Sequence, residues 1–143
     1  MPCRVLLVTP DLGYGGSKVF LTTLFNNLDR PMIDAWLVVF NSALPHCRKI
    51  IESNRVIDLH ARGVKSGLSR FVRVVRKLRP AIVVTALDYV SVSVLMTRRL
   101  LPRRTKLVVV ESSPPSASFP DEYGYAWIMK WLCRRYYPRT DRI

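Results

Sequence analysis

"CRVLLVTPDLGYGGSKVFLTTLFNNL", residues 3–28, carries the pattern from which the fold follows. Its first seven residues are an apolar, β-branched run closed by Pro10, the mark of a short buried strand. Gly13, Gly15 and Gly16 crowd the bend that comes next. Glycines cost backbone entropy, so such a cluster points to positive φ or to a backbone that passes close to something. Ser17 then stands as the N-cap of a helix in which Val19, Phe20, Thr23, Leu24 and Leu28 recur at helical spacing. The bend has two readings: a tight strand-to-helix turn, or a seat for a ligand.

The same alternation runs outward to the end of the chain. "IDAWLVVFN", "RVIDLH", "PAIVVTA" and "TKLVVVES" read as four more strands. "LPHCRKIIESN" predicts a short helix between the second and third. "SGLSRFVRVVRKLR" predicts a helix with Leu68, Phe71, Val75 and Leu78 on one face. "DYVSVSVLMTRRLL" is read as a helix because it lies between two strand runs, and "DEYGYAWIMKWLCRRYY" as the last helix. "SSPPSASFP" is turn-rich and is expected to be the most mobile element. The strand cores are continuous apolar runs, which implies burial on both faces and a mainly parallel sheet covered by helices. The expectation is a single α/β domain over residues 1–143, Rossmann-like, with three layers. Ligands in such sheets bind outside the carboxyl ends of the strands.

Composition narrows the partners. Lys plus Arg number 23 against 10 for Asp plus Glu, a formal net charge of +13. That balance favours an anionic partner such as nucleic acid, a membrane surface or a phosphorylated substrate, unless it serves solubility alone. Cys3, Cys47 and Cys133 are odd in number and lack CxxC spacing, which argues against a disulfide framework or a zinc site. Cys3 and Cys133 read as buried or incidental rather than reactive. The apolar run Val5–Val8 is too short for a signal segment, and no apolar run approaches 18 residues. A reducing, cytoplasmic setting is the expectation. His46 reads as a surface residue and His60 as a strand end, so no metal is expected.

The glycine bend matches neither common nucleotide motif. Gly13 and Gly15 give the first spacing of a dinucleotide fingerprint, but Lys18 stands where its third glycine would fall, and Phe40 and Asn41 end the second strand where an acid is expected. No GK[ST] follows, so it is not a P-loop.

"VLLVTPDLGYGGSKVFLTTLFNNL" resembles the opening of the family 4 glycosyltransferases: strand, Gly-Gly loop, helix. "LRPAIVVTALDYVSVSVLMTRRL" is similar to the stretch that begins their fourth strand, "LVVVESSPPSAS" to their fifth strand and its loop, and "DEYGYAWIMKWLCRRYYPRTDRI" to the helix leading into the next strand. The resemblance covers essentially the whole chain. It implies half of a GT-B fold, the N-terminal acceptor-side domain, with the C-terminal donor domain absent from the sequence. It implies a retaining, nucleotide-sugar-dependent transferase, in which an acceptor hydroxyl attacks the anomeric carbon as the nucleotide diphosphate leaves. No cofactor is implied beyond the nucleotide-diphosphate sugar as donor substrate. The implied partners are the donor domain or a separate subunit, and a glycan or lipid-linked acceptor.

Under that resemblance Gly15, Gly16, Ser17 and Lys18 face the diphosphate or the acceptor, and Asp88 and Glu111 are the acids nearest the cleft, able to hydrogen-bond sugar hydroxyls. Asp88 is read equally as an N-cap. Three departures stand out. Ala86 replaces a histidine common after the fourth strand, Ser112 falls at the histidine of the family's Glu-His-Asn run, and Lys18 replaces an acid. Ser112 cannot do the work of an imidazole near neutral pH. The alternative reading is therefore a non-catalytic, degenerate transferase domain or a subunit that docks a partner.

The basic residues cluster. Arg70, Arg73, Arg76, Lys77 and Arg79 surround an apolar helix face, and "TRRLLPRRTK" adds Arg98, Arg99, Arg103, Arg104 and Lys106. A basic amphipathic helix suits an anionic membrane surface, through Arg70, Arg73, Arg76 and Lys77 with help from Arg103 and Arg104. It also suits an ordinary sheet-covering helix with a solvated face. The membrane reading places the protein peripherally on the inner face. "WLCRRYYPR" mixes aromatics and arginines, but no RNA-binding signature accompanies it, so nucleic acid is not expected. The apolar side chains of "YAWIMKWL" suggest self-association of the isolated domain.

Overall fold

A computed structural model describes residues 1–42, 53–111 and 126–142. Five strands are present there: β1 (Cys3–Thr9), β2 (Ile33–Val39), β3 (Val56–Asp58), β4 (Ile82–Thr85) and β5 (Lys106–Val109). All pair in parallel in the order β3-β2-β1-β4-β5. In register, Leu7 stands between Leu37 and Val84. The helices are α1 (Gly16–Asn27), α2 (Val64–Leu78), α3 (Asp88–Met96) and α4 (Ala126–Tyr136). The architecture is the expected Rossmann-like one, with helices on both faces of a parallel sheet.

The strand sequences explain themselves once both faces are covered. Val5 and Leu7 point to one side, where Leu21 and Phe25 of α1 meet them. Leu6 and Val8 point to the other, against Phe71 and Val75 of α2, Val90 and Val94 of α3, and Cys133 and Tyr137 beyond them. Alternate residues serve two separate apolar clusters, so the strands cannot alternate apolar with polar.

Two sequence expectations shift here. Gly15, at φ 141, precedes the first helical residue of α1, so Ser17 lies inside the helix and is not its N-cap. The buried face of α1 is Leu21, Thr22 and Phe25, while Phe20 is exposed. Thr22 is tolerated inside because its hydroxyl donates to the Lys18 carbonyl at 2.9 Å. In α3 the helix stops at Met96 and gives way to a 3-10 turn, Arg98–Leu100, because Thr97 turns its own N–H and hydroxyl back to Val94 O.

α2 matches its predicted face. Phe71 and Val75 are fully buried, and Leu68 and Leu78 pack at the cluster's edge. Phe71 is thus a core residue and does not face outward, stacking on Phe40 at 6.2 Å between ring centroids. The helix sits close to the sheet at Gly67, where a Cβ would fall 2.5 Å from the Phe40 ring. α2 ends on Arg79, a non-glycine residue in the left-handed region at φ 46 and ψ 56.

After α4 the chain turns back toward β5. Asp141 N and Arg142 N donate to Leu107 O, Val109 N donates to Arg142 O, and Arg142 makes a parallel bridge with Val108. This is the position at which the resemblance expects a next strand to begin. Trp127 and Trp131 of α4 are exposed. The short helix proposed within 44–54, Cys47, Ser112 and the "SSPPSASFP" loop fall wholly or mainly outside the described residues. Among the described residues, no helix is long and apolar enough to cross a membrane.

Candidate functional site

The strand order reverses between β1 and β4. The connection from β1 leads to β2 on one side, and β4 leads to β5 on the other, so the loops after β1 and β4 part and leave a crevice at the carboxyl ends. Val8 pairs with Thr85, which sets the glycine loop after β1 beside the start of α3. Glu111 follows β5, whose backbone continues the ladder through Val110 N to Thr85 O at 2.8 Å.

The loop is built on Asp11. Its Oδ1 accepts from Gly13 N at 2.8 Å, closing an Asx turn, and its backbone carbonyl accepts from the Thr9 hydroxyl at 2.8 Å. Both of its carboxylate oxygens also take the Lys18 ammonium, at 2.8 and 2.7 Å. Lys18, in the first turn of α1 and partly exposed, is thus paired with Asp11 and not offered freely to a ligand. Gly15 needs its missing side chain for its φ of 141. Gly16 has open space where a Cβ would stand, so the backbone there is accessible at the start of α1.

Across the crevice stands a polar cluster drawn from three parts of the chain. Asp88 opens α3, and its Oδ1 accepts from the Tyr137 hydroxyl at 2.8 Å. Leu87 occupies the cap position and Asp88 makes no capping bond, so the carboxylate is turned to the cluster and not to its own helix. Glu111 lies beside them, with Oε1 buried and lacking a hydrogen-bond partner. Burial, and then the neighbouring Asp88 carboxylate, push the Glu111 carboxyl above its usual range, against the lowering effect of the Tyr137 hydroxyl. The Tyr137 hydroxyl is itself held strongly protonated by burial and by Glu111 and Asp88, so it acts as a donor. Cys133 lines the same cluster; burial is the main cause that raises its thiol, which argues against a reactive role.

Tyr89 is an exposed residue of the first turn of α3. Burial first, and the Asp11 carboxylate second, raise its hydroxyl pKa, so the hydroxyl lies within electrostatic reach of the glycine loop. Through the parallel pairing of β1, β4 and β5, Gly15, Gly16, Ser17 and Lys18 stand at the same carboxyl edge of the sheet as Asp88 and Glu111. Ser112 lies outside the described residues, directly after Glu111. Asp11, Tyr89 and Tyr137 were missed from the sequence. Asp11 had a signal in its Asp-x-Gly spacing; Tyr137 had none, since it arrives from 49 residues away.

The basic residues divide. Arg70 gives its guanidinium to the carbonyls of Leu59 and His60, at 2.7 and 2.8 Å, at the carboxyl end of β3. Arg73 and Lys77 are exposed on α2. Arg76, Arg103 and Arg104 meet at the opposite end of the sheet, beside the start of β1. Among the described residues, no group of three His, Cys, Asp or Glu side chains is placed to hold a metal ion. No protein-family model matches the chain, and no curated protein matches it.

Proposed function

We propose that this chain is the acceptor-side domain of a retaining, nucleotide-sugar-dependent glycosyltransferase similar to family 4, as the sequence resemblance implies. The observation that carries the proposal is the pairing of an open Gly15–Gly16 backbone with the Asp88–Glu111 carboxyl pair across the crevice between β1 and β4. A sugar acceptor needs hydroxyl-accepting carboxylates on one wall and room for a phosphorylated leaving group on the other. In the reaction, the acceptor oxygen bonds to the anomeric carbon, the bond from that carbon to the diphosphate oxygen breaks, and the hydroxyl proton passes to the departing diphosphate. Asp88 is the carboxylate we assign to orient the acceptor hydroxyl. Glu111, its carboxyl raised by burial and by Asp88, stands beside it.

A second reading is favoured by the Asp11–Lys18 pair. A loop that matches its own cation internally has less to offer a diphosphate, which suits a non-catalytic binding or docking domain. Amide NMR of the chain titrated with UDP- and GDP-sugars and with short glycans tests both. The transferase reading expects shifts at residues 13–18, 86–89 and 110–111 that vanish in Asp88→Asn. No shift there with any sugar would remove it, and glycan shifts without nucleotide-sugar shifts would favour the binding domain.

A further inference from the structure

A feature that the crevice does not explain lies at the opposite end of the sheet. A cavity of about 1160 Å³ opens at the amino ends of β1, β4 and β5, between the end of α2 and the turn that follows α3. Arg4, Arg76, Arg79, Arg99, Arg103 and Arg104 line it, with Asp34 as the one carboxylate among its lining residues. Asp34 is already matched, since its oxygens take both Arg4, at 2.6 Å, and Arg55. Five arginines therefore face the cavity without a carboxylate to balance them. Arg79, Arg99, Arg103 and Arg104 make no side-chain hydrogen bond or ion pair among the described residues.

Hydrogen bonds tie the backbone segments around the cavity together. Arg76 Nε donates to Leu100 O at 2.9 Å, which ties α2 to the turn opposite. The buried Thr105 hydroxyl donates to Pro80 O at 2.8 Å, and Arg4 Nη1 to Leu78 O at 2.8 Å. Both walls are thus bonded to the same floor. Like charges gathered in one place repel one another unless an anion enters. Arg79 adds to them from a left-handed helix end, where glycine is the unstrained choice.

We infer that this cavity is a binding site for a ligand bearing two or more phosphate groups. The side-chain cations are all guanidiniums and, among the described residues, no lysine lines the cavity, which favours bidentate contact with phosphate oxygens over diffuse charge attraction. Several uncompensated charges call for a multiply charged anion. The lining contains no aromatic side chain, so it lacks the stacking surface that single-stranded nucleic acid uses. The phosphates belong either to a free small molecule or to a lipid headgroup; Leu100, exposed at the rim, would meet the membrane in the second case. The site is separate from the crevice at the carboxyl ends, and the inference does not rest on the glycosyltransferase reading.

Calorimetry with inorganic tripolyphosphate tests it, using wild type, the pair Arg103→Ser with Arg104→Ser, and Arg79→Gly. Exposed arginines without partners contribute little to stability, so the serine pair should melt with the wild type, and Arg79→Gly, which relieves a left-handed backbone, at or above it. Tripolyphosphate should bind the wild type, and more tightly than inorganic phosphate. Affinity should fall roughly tenfold or more in each variant, and fall with added salt. Flotation with phosphatidylcholine vesicles, with and without a phosphatidylinositol bisphosphate, decides the source. Flotation that needs the bisphosphate and Arg103 with Arg104 assigns the headgroup; tripolyphosphate binding without flotation assigns a free ligand. The inference is overturned if folded wild type ignores tripolyphosphate, if the variants bind it unchanged, or if a single-stranded oligonucleotide binds the same arginines more tightly.

Discussion

The Tyr137 hydroxyl donates to Asp88 Oδ1 over 2.8 Å, and so ties the turn after α4 to the first turn of α3. This one bond closes the candidate site from the far end of the chain. Removing it should leave a half-buried carboxylate without its donor. Hydrogen bonds to charged groups contribute about 1.5–3 kcal/mol when one partner is lost. Tyr137→Phe should therefore lower stability by about 2 kcal/mol in urea unfolding. It should also raise the Glu111 pKa further, because the hydroxyl lowers it now. Carboxyl carbon NMR titration reads that shift, and an unmoved Glu111 would show that the hydroxyl does not reach it.

The pH dependence follows from the sign of each shift. Glu111 is raised above its ordinary 4.5, so the folded state holds its proton more tightly than the unfolded state. That contribution is complete below pH 4.5 and is lost as pH rises through the folded value. Glu111→Gln fixes the neutral form. The variant should match wild type near pH 4 and become progressively more stable than it toward pH 8.

Asp34, Asp58 and Asp141 run the other way. Burial alone would raise Asp34, but bonds to Arg4 and Arg55 and their charges outweigh it and hold the carboxyl below 3.8. Asp58 is held down through Ser42 and His60 against the same opposing burial, and Asp141 chiefly through Leu107 N. Their stabilisation is present above 3.8 and is lost as pH falls through the lowered folded values. Acid titration monitored by circular dichroism should show Asp34→Asn unfolding at higher pH than wild type.

Three glycines should respond differently to alanine. At Gly67 the new methyl would meet the Phe40 ring at 2.5 Å and Ala61 Cβ at 2.9 Å, both in the packed core. Overpacking of this kind costs about 1–3 kcal/mol. At Gly15 the φ of 141 is the obstacle, and the cost is of similar size, roughly 1–3 kcal/mol. At Gly16 nothing stands within 4 Å, so alanine should be neutral or stabilise α1 by about 1 kcal/mol. Thermal melts of the three variants check the order.

The layer plan was legible because a strand buried on both faces must be apolar at successive positions, as Val5 to Val8 are. The face of α2 was legible because Phe71 and Val75 recur at helical spacing. The start of α1 was not, because Gly15 performs by backbone conformation what Ser17 would have done by side chain. Half of the site could be read: the glycine loop, Asp88 and Glu111 stand at strand ends. The role of Lys18 was hidden because its partner, Asp11, lies across a turn whose shape the spacing alone does not give. Tyr137 and the arginine cavity depend on segments that only the folded chain brings together, with Arg4 meeting Leu78 across 74 residues.

That hidden partner supplies a discriminating prediction. Asp11→Asn keeps an Oδ1 acceptor for Gly13 N, so the Asx turn survives. It removes the carboxylate that matches Lys18 at 2.7 Å. The freed ammonium then stands at the glycine loop beside the open backbone of Gly16. If the loop seats a diphosphate, UDP- or GDP-sugar affinity should rise, by roughly fivefold to tenfold for one added charge-assisted contact. The reciprocal change, Lys18→Met, should lower it in the Asp11→Asn background and do little in the wild type, where the charge is already spoken for. Calorimetry on the four proteins gives the coupling directly. Equal affinities throughout would separate the loop from phosphate binding and leave it as the tight strand-to-helix turn that its glycines equally permit.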